Sequence, residues 1–584
     1  MATLALLGFT GEIPRLLPRL LPDTAATEAF NTRLDDGGLT PIRKPRFAHF
    51  FSNVPESGYQ TIYKHQDDWL GWSGDVYAVP GPVAADRLYI FGDGAPKMRV
   101  NGDIYPLAIT SPSGALNGVV SGDATSDLNS TRLYVYTNVT QFGEESVPSP
   151  ISNEVNWFPG QTVTLSGFST SMGAGRTASK QRIYRSQTGT TGTNLFFIAE
   201  REASNGNFVD NVPLESIQEP LPSLHWNAPV DTLTGVISMP NGMMAGFSGK
   251  DVFFCEPYIP HAWPEMYSMT VDYQIVALAS YGSTLVVMTE GHPYIMTGSA
   301  PENMMSEKLE LNLPCINAKG VQDMGYSVIY PSHDGLVSVS NSGATVISSS
   351  LMSPTEWEKY NPRAMISGVH AGRYLSCYRY SSQDLLTEFS GTIIFDVTGT
   401  KPFIIRSDLY PDAMFYDMVN GLLYYLDGSE VYIWDAPGQF NELQYWKSKE
   451  FVLPKPTNFG AILIETVDAL TEDEKLELQL EQQRIEDENQ VLIDTQDILG
   501  SINSARVNDV AFNGDILQVV PSLNTTVSVS IFADGEHVIT LGTTDRMARL
   551  PSGFLARTWE VAVLSDRPIL QITLATTGAE LMQV

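Results

Sequence analysis

Adjacent carboxylates flanked by indoles, Asp67-Asp68 with Trp69 and Trp72, come nearest to an enzymatic pattern in this 584-residue chain. Acidic residues beside aromatic platforms suit a sugar-binding or sugar-cleaving cleft. Glycoside hydrolysis, however, needs two carboxyl groups held at a set separation across a groove. Neighbours on a strand point to opposite faces, so Asp67 and Asp68 are a poor acid–base pair.

The remaining chemistry-bearing residues are dispersed. Ser332-His333-Asp334-Gly335 faintly resembles the Asp-box of sialidase propellers, but it lacks the following Trp, occurs once, and reads as an ordinary β-turn. Gly246–Lys250 (GFSGK) is too short for a phosphate-binding loop and sits in a hairpin pattern. The eight histidines, His49, His65, His225, His261, His292, His333, His370 and His537, have no metal-ligand spacing. Cys255, Cys315 and Cys377 form neither a C-x-x-C pair nor an even set, which argues against disulfides and zinc and for small buried side chains. No catalytic, cofactor-binding or metal residue is assigned, and the expectation is a non-enzyme. Asp67, Asp68 and Asp334 carry the alternative of a propeller glycan hydrolase.

The elements that would position these residues are mostly strands. A length of 584 residues exceeds one core, and 43% apolar residues allow several. From residue 61 the chain reads as strand–turn–strand units. The first is Arg87–Tyr105; later ones begin at Met243, Thr284, Ser327, Tyr374 and Gly421, each with Gly or Asp at its turn. From Met243 onward successive starts are about 40 to 47 residues apart, the period of a propeller blade. A lone hairpin cannot bury its faces; blades stacked around an axis can.

This pattern gives residues 61–107 as the first part of a propeller-like domain and 221–444 as the remainder. Between them, residues 108–220 are rich in Ser, Thr and Gly, with alternation at Leu133, Val135, Thr137 and at Ile183, Arg185. They predict an inserted sandwich with one buried face per sheet. The Tyr-x-Tyr-Thr strand, the Gly-Glu-Glu-Ser turn and the Ile-Tyr-Arg-Ser strand resemble a fibronectin type III domain. In phage proteins such a resemblance implies an adhering or spacer module. Residues 445–584 predict a C-terminal β-sandwich. It opens with a strand pair at FVLPKPTNFGAILIETVD, has a hairpin turn at Asp534-Gly535, and is interrupted by a helix over 471–489. Thr471 and Glu474 form a capping box there, and Leu476 and Leu480 make a thin apolar stripe on an acidic, projecting helix.

Residues 1–60 read as an N-terminal arm, with a short helix capped by Asp23 and running through Ala25, Ala26, Ala29 and Phe30. Such an arm is a poor core alone and should pack on another domain or subunit. Its apolar start lacks a basic leader region and is interrupted by Glu12 and Pro14, and no uncharged apolar run approaches 18 residues. The expectation is a chain without a membrane span, made in a cytoplasm.

Pro14-Arg15, Leu21-Pro22-Asp23, Ala25-Ala26, Asn31 and Gly38-Leu39 through Pro41 and Arg43 form a pattern that, with the propeller-like hairpins, resembles the tail nozzle proteins of short-tailed bacteriophages, also called tail tubular protein B. The resemblance implies a homohexameric virion ring below the portal and adaptor, bearing tail fibres or spikes. Genomic DNA would pass through it without sequence-specific binding. It makes Arg15, Arg19, Phe30, Asn31 and Arg43 candidate subunit or adaptor contacts. A net charge of −31 gives no basic stripe for wrapped nucleic acid and would keep a conduit from holding DNA. The fibronectin-like insert keeps open a receptor-binding or adhesin role.

Overall fold

The computed structural model describes residues 3–173, 175–189, 192–213, 216, 219–382, 387–397, 402–466, 472–496 and 526–581. The protein is mostly β, with a β-propeller-like core, an inserted fibronectin type III-like sandwich, and a terminal β-sandwich carrying a helical insertion.

Each hairpin noted in the sequence supplies the middle strands of a radial sheet. Blade 2 runs Tyr77–Pro80, Arg87–Phe91, Lys97–Val100, Asp103–Pro106 in simple antiparallel order. Blades 3, 4 and 5 repeat this from Thr234, Ile275 and Gln322. Blade 6 comprises Ile366–His370, Arg373–Ser382, Thr387–Asp396 and Phe403–Ser407. Two features were not legible in the hairpin period. Blade 1 is only a strand pair, Thr61–His65 with Asp68–Trp72. Blade 7 takes three strands from Ala413–Ile433 and its fourth, Arg46–Phe50, from the N-terminal region. The register Glu430↔Phe50 to Ile433↔Arg46 thus fastens the two ends of the ring together. Apolar clusters fill the gaps between adjacent blades, for example Phe91, Met98, Leu233 and Trp263 between blades 2 and 3, and Phe51, Ile62 and Leu426 between blades 7 and 1. Stacking therefore gives each sheet the buried faces it lacks alone. Cys255, Cys315 and Cys377 are all buried within these blades or beside them, each as a free thiol.

The N-terminal segment is not a separate arm. Ala25–Phe30 is a strand, not a helix, and it lies in the middle of a large sheet. It pairs antiparallel with Gln444–Ser448, and parallel with Thr10–Glu12 and blade 6's Phe403–Ser407. The spacing of Ala25, Ala26 and Ala29 fits a helical face, but all three are fully buried in the sheet, where close neighbours admit only small side chains. Tertiary burial overrides helix propensity here. Gln444–Ser448 continues the sheet to Ala556–Ser565, Val527–Ala533 and Glu536–Leu541. A second sheet, Thr3–Leu6, Ile569–Ala575, Ala461–Thr466 and Ala548–Arg549, packs on it through Leu6, Ala29, Trp446, Ile462, Trp559 and Ile572. The sandwich assigned to residues 445–584 is therefore built from both chain ends.

The strands Phe451–Thr457 and Ala461–Thr466, predicted as a pair, instead enter opposite sheets. The Asp534-Gly535 hairpin is present, with both residues at positive φ, as a tight two-residue turn requires. The helix spans Glu472–Gln496, longer than the sequence pattern indicates; Thr471 lies outside the described residues.

The insert leaves blade 2 after Asp103–Pro106 and returns at Thr234. Its sheets are Asn117–Ser121, Thr162–Ser166, Phe208–Asp210; Tyr134–Thr140, Ala178–Gly189, Gly192–Glu202; and the strand pair Ser130–Arg132 with Val155–Trp157. The core-facing side of Tyr134–Thr140 is Tyr134 and Tyr136, opposite Ile183 and Arg185, not Val135 and Thr137. Those two are buried on the other face. Segment 146–152 seals this strand's edge: Ser146, Ser149 and Ser152 accept the N–H groups of Asn138, Tyr136 and Tyr134 through their hydroxyls. A capped edge cannot template further strand pairing.

Candidate functional site

The five N-terminal contact candidates fall into two groups, exposed and half-buried. Ile13–Thr24 is a loop between the strands Thr10–Glu12 and Ala25–Phe30, held open by Pro14, Pro18 and Pro22. Arg15 anchors one side: its N–H donates to Leu351 O at 2.8 Å, and its guanidinium donates to Ser349 O. Arg19 reaches Glu450 at 3.3 Å and is otherwise in solvent. Leu16, Leu17 and Leu20 project outward beside them, with Leu17 70% and Leu20 68% exposed. The other three candidates are half-buried and tied in through their backbones. Phe30 pairs with Tyr445, Asn31 adopts a left-handed conformation (φ 52°) and its N–H donates to Arg406 O, and the Arg43 N–H donates to Asp435 Oδ1 at 2.8 Å. The exposed leucines beside the arginines were the missed signal: the repeated Pro-Arg-Leu-Leu-Pro unit keeps them out of the sheets, with no more than a single 3-10 turn at Pro18–Leu20.

The helix Glu472–Gln496 carries nine acidic and two basic residues, so it repels its own kind. Leu476 and Leu480 are exposed on it, Ile485 and Asn489 are buried, and Arg484 bridges Glu481 and Glu488. Glu474 lies in its first turn.

The carboxylates flagged for hydrolysis are not brought together. Asp68 is paired with Arg99 of blade 2. Asp67 lies in the turn joining the first and second strands of blade 1, and Asp334 in the turn joining the second and third strands of blade 5. Successive turns of an antiparallel meander alternate ends, so these turns lie on opposite faces of the propeller. Among the described residues, no three His, Cys, Asp or Glu side chains are grouped to hold a metal ion. No helix among them is long and apolar enough to cross a membrane.

The junction between insert and propeller is polar and buried. Arg176 pairs with Glu144 and donates to Pro106 O at 2.8 Å, while Arg87 donates to Phe142 O at 3.1 Å. His261 Nε2 lies 3.1 Å from Glu145 O, so as the neutral tautomer it donates there. Burial, joined by the Arg176 and Arg87 charges and opposed by the Glu145 contact, pushes the His261 pKa down to about 4. The unfolded imidazole, near 6.5, gains its proton first as pH falls. Stability from the neutral His261 is therefore complete above pH 6.5 and is lost down to about pH 4, a total of about 3 kcal/mol. Urea midpoints should fall with pH across this window in the parent protein, and the slope should flatten in His261→Gln.

No protein-family model matches this sequence, and no curated protein matches it. Among solved structures, the chain is similar to BBS1N, crystallised in complex with ARL6DN. The identity is 8%, over 67% of this chain and 96% of that one, with a TM-score of 0.26. The propeller is established by the strand pairing and the apolar clusters between its blades, not by that likeness.

Proposed function

We propose that this protein is a virion structural protein, the nozzle of a short phage tail: a homohexameric ring below the portal and adaptor that channels and retains the genome and supports its ejection. The observation that carries the reading is the loop Ile13–Thr24. Its flanking strands are buried deep in the terminal sandwich, yet Leu16, Leu17 and Leu20 are presented to solvent with Arg15 and Arg19. A clustered apolar projection on a rigid base suits a contact between subunits or with an adaptor. A cyclic ring requires such a patch on one side of each subunit and its complement on the other. The charge supports the same reading, since six copies at −31 sum to about −186, which disfavours DNA adhesion to the walls. Tail fibres or spikes would attach outside the ring, and assembly would take place in the host cytoplasm.

Electron microscopy of the purified chain or of virions should show sixfold rings with an open lumen. Leu17→Asp with Leu20→Asp should reduce the ring fraction at least tenfold. Because both side chains are already in solvent, monomer stability should move by only about 0.5 kcal/mol. A globular monomer under every assembly condition would overturn the proposal.

A further inference from the structure

A second site lies on the insert, away from the propeller junction. At the end of its sandwich, Arg132, Tyr134, Arg185 and Asp210 form a buried cluster with two cationic groups and one anionic group. Asp210 is fully used. Its Oδ2 accepts from Arg185 Nη1 at 2.8 Å and from the Tyr134 hydroxyl at 2.8 Å, and its Oδ1 accepts from Val212 N–H at 3.0 Å. Arg132 is left with the longest contact to Asp210, 3.5 Å. Arg185 is 0% exposed, and among the described residues its Nε and Nη2 have no partner. One positive charge and two donors are therefore uncompensated, at a cost that natural interiors seldom accept without a role. Burial first, then the neighbouring Arg185, lowers the Arg132 pKa from its ordinary value, as expected where an anion is missing.

Beside this cluster is a cavity of about 400 Å³, lined among others by Arg132, Trp157, Gln161, Thr162, Asp210 and Asn211. The Arg132 guanidinium lies 3.5 Å over the Trp157 ring, which fixes its plane. A planar guanidinium held in this way offers two parallel N–H groups to a carboxylate. The volume is far larger than an isolated carboxylate or sulfate needs. Gln161 is held by Phe158 N–H and Gly122 O, and Thr162 by Ser121, while the exposed amide of Asn211 matches a sugar hydroxyl.

We infer that this cavity binds a uronate unit of an acidic polysaccharide, with Arg132 meeting the sugar carboxylate and Trp157 holding Arg132 in place. The inference is independent of ring formation: it needs only the insert's cavity, and it would give this protein a contact with an acidic surface glycan.

The full chain is titrated with D-glucuronate, D-galacturonate and their trisaccharides, followed by ligand-observed NMR, alongside D-glucose and sodium sulfate. A uronate should bind saturably, with the trisaccharide tighter than the monosaccharide, and D-glucose at least tenfold weaker. Arg132→Lys keeps the charge but loses the fork and should weaken uronate binding about tenfold. Asn211, exposed and without a side-chain bond among the described residues, serves as a second probe: Asn211→Ala should weaken binding about threefold with an unchanged melting temperature. Equal binding of glucose would overturn the carboxylate assignment. Sulfate binding as tightly as uronate, and competing with it, would overturn the sugar. No binding of either uronate or its trisaccharide, or full binding by both variants, would overturn the site.

Discussion

Glu12→Ala is expected to destabilise the protein by about 3–5 kcal/mol, measured by urea unfolding at pH 7. Glu12 is buried where three strands meet. Its Oε1 accepts the Ala29 N–H at 2.9 Å and its Oε2 accepts Arg406 Nε at 2.9 Å. The first bond reaches a central strand of the terminal sandwich, and the second reaches the outer strand of blade 6. Alanine would leave a backbone donor unpaired and the mostly buried Arg406 without its counter-charge. Burial raises the Glu12 pKa, and the Arg406 charge only partly offsets it. Glu12→Gln keeps an acceptor for Ala29 without the cost of burying a charge, so it should lose much less than alanine. Replacing both partners, Glu12→Leu with Arg406→Met, should recover most of the alanine deficit, because apolar isosteres remove the desolvation cost along with the pair. A double variant no more stable than Glu12→Ala would show that the acceptor for Ala29, not the ion pair, is what matters. The adjacent Gly11 makes the same seam sensitive to size: a Cβ there would overlap the Ile404 carbonyl oxygen, so the two backbones approach only because Gly11 has none.

Trp446→Ala should cost a similar amount, about 3–5 kcal/mol, through a different mechanism. Trp446 is fully buried between the two sheets of the terminal sandwich, edge-on to Phe9 with ring centroids 4.9 Å apart. Its Nε1 donates to Thr10 O at 3.1 Å. Truncation creates a cavity lined by strands from both chain ends and frees the Thr10 carbonyl. Calorimetry should show the loss as a lower melting temperature. Trp446→Phe, which refills much of the cavity but cannot donate, should recover more than half of it. A variant that melts like the parent would mean that the two ends are not stabilised through this contact.

How far the sequence could be read depended on the range of the interactions involved. The blade period was visible because each blade is a local hairpin with alternating side chains and a Gly or Asp turn, as in Thr284–Thr297 and Leu422–Ile433. The insert was visible as a composition change, and its Ile183 and Arg185 were read with the correct parity. Tyr134 and Tyr136 were missed as core residues, since a strand buried on both faces shows no apolar alternation.

Among the N-terminal candidates, Arg15 and Arg19 sit exposed at the surface, while Phe30, Asn31 and Arg43 are half-buried and tied in through their backbones. The sequence shows the residue types but not which side of the fold covers them. The Arg132–Arg185–Asp210 cluster gave no sequence signal, because its members are up to 78 residues apart and meet only when strands of three sheets come together.

By itself, then, the sequence determined the β-rich class, the repeating hairpins, the insert and the acidic character, all of which follow from side-chain pattern over short spans. Only the tertiary structure decided that an apparent N-terminal arm is two things at once. Its Thr10–Glu12 and Ala25–Phe30 are central to the large sheet of the terminal sandwich, and Arg46–Phe50 is the strand that closes the propeller. Its alanines favour a helix locally. Pairing with strands some 400 residues away, and complete burial between them, outweighs that small preference and makes a strand instead.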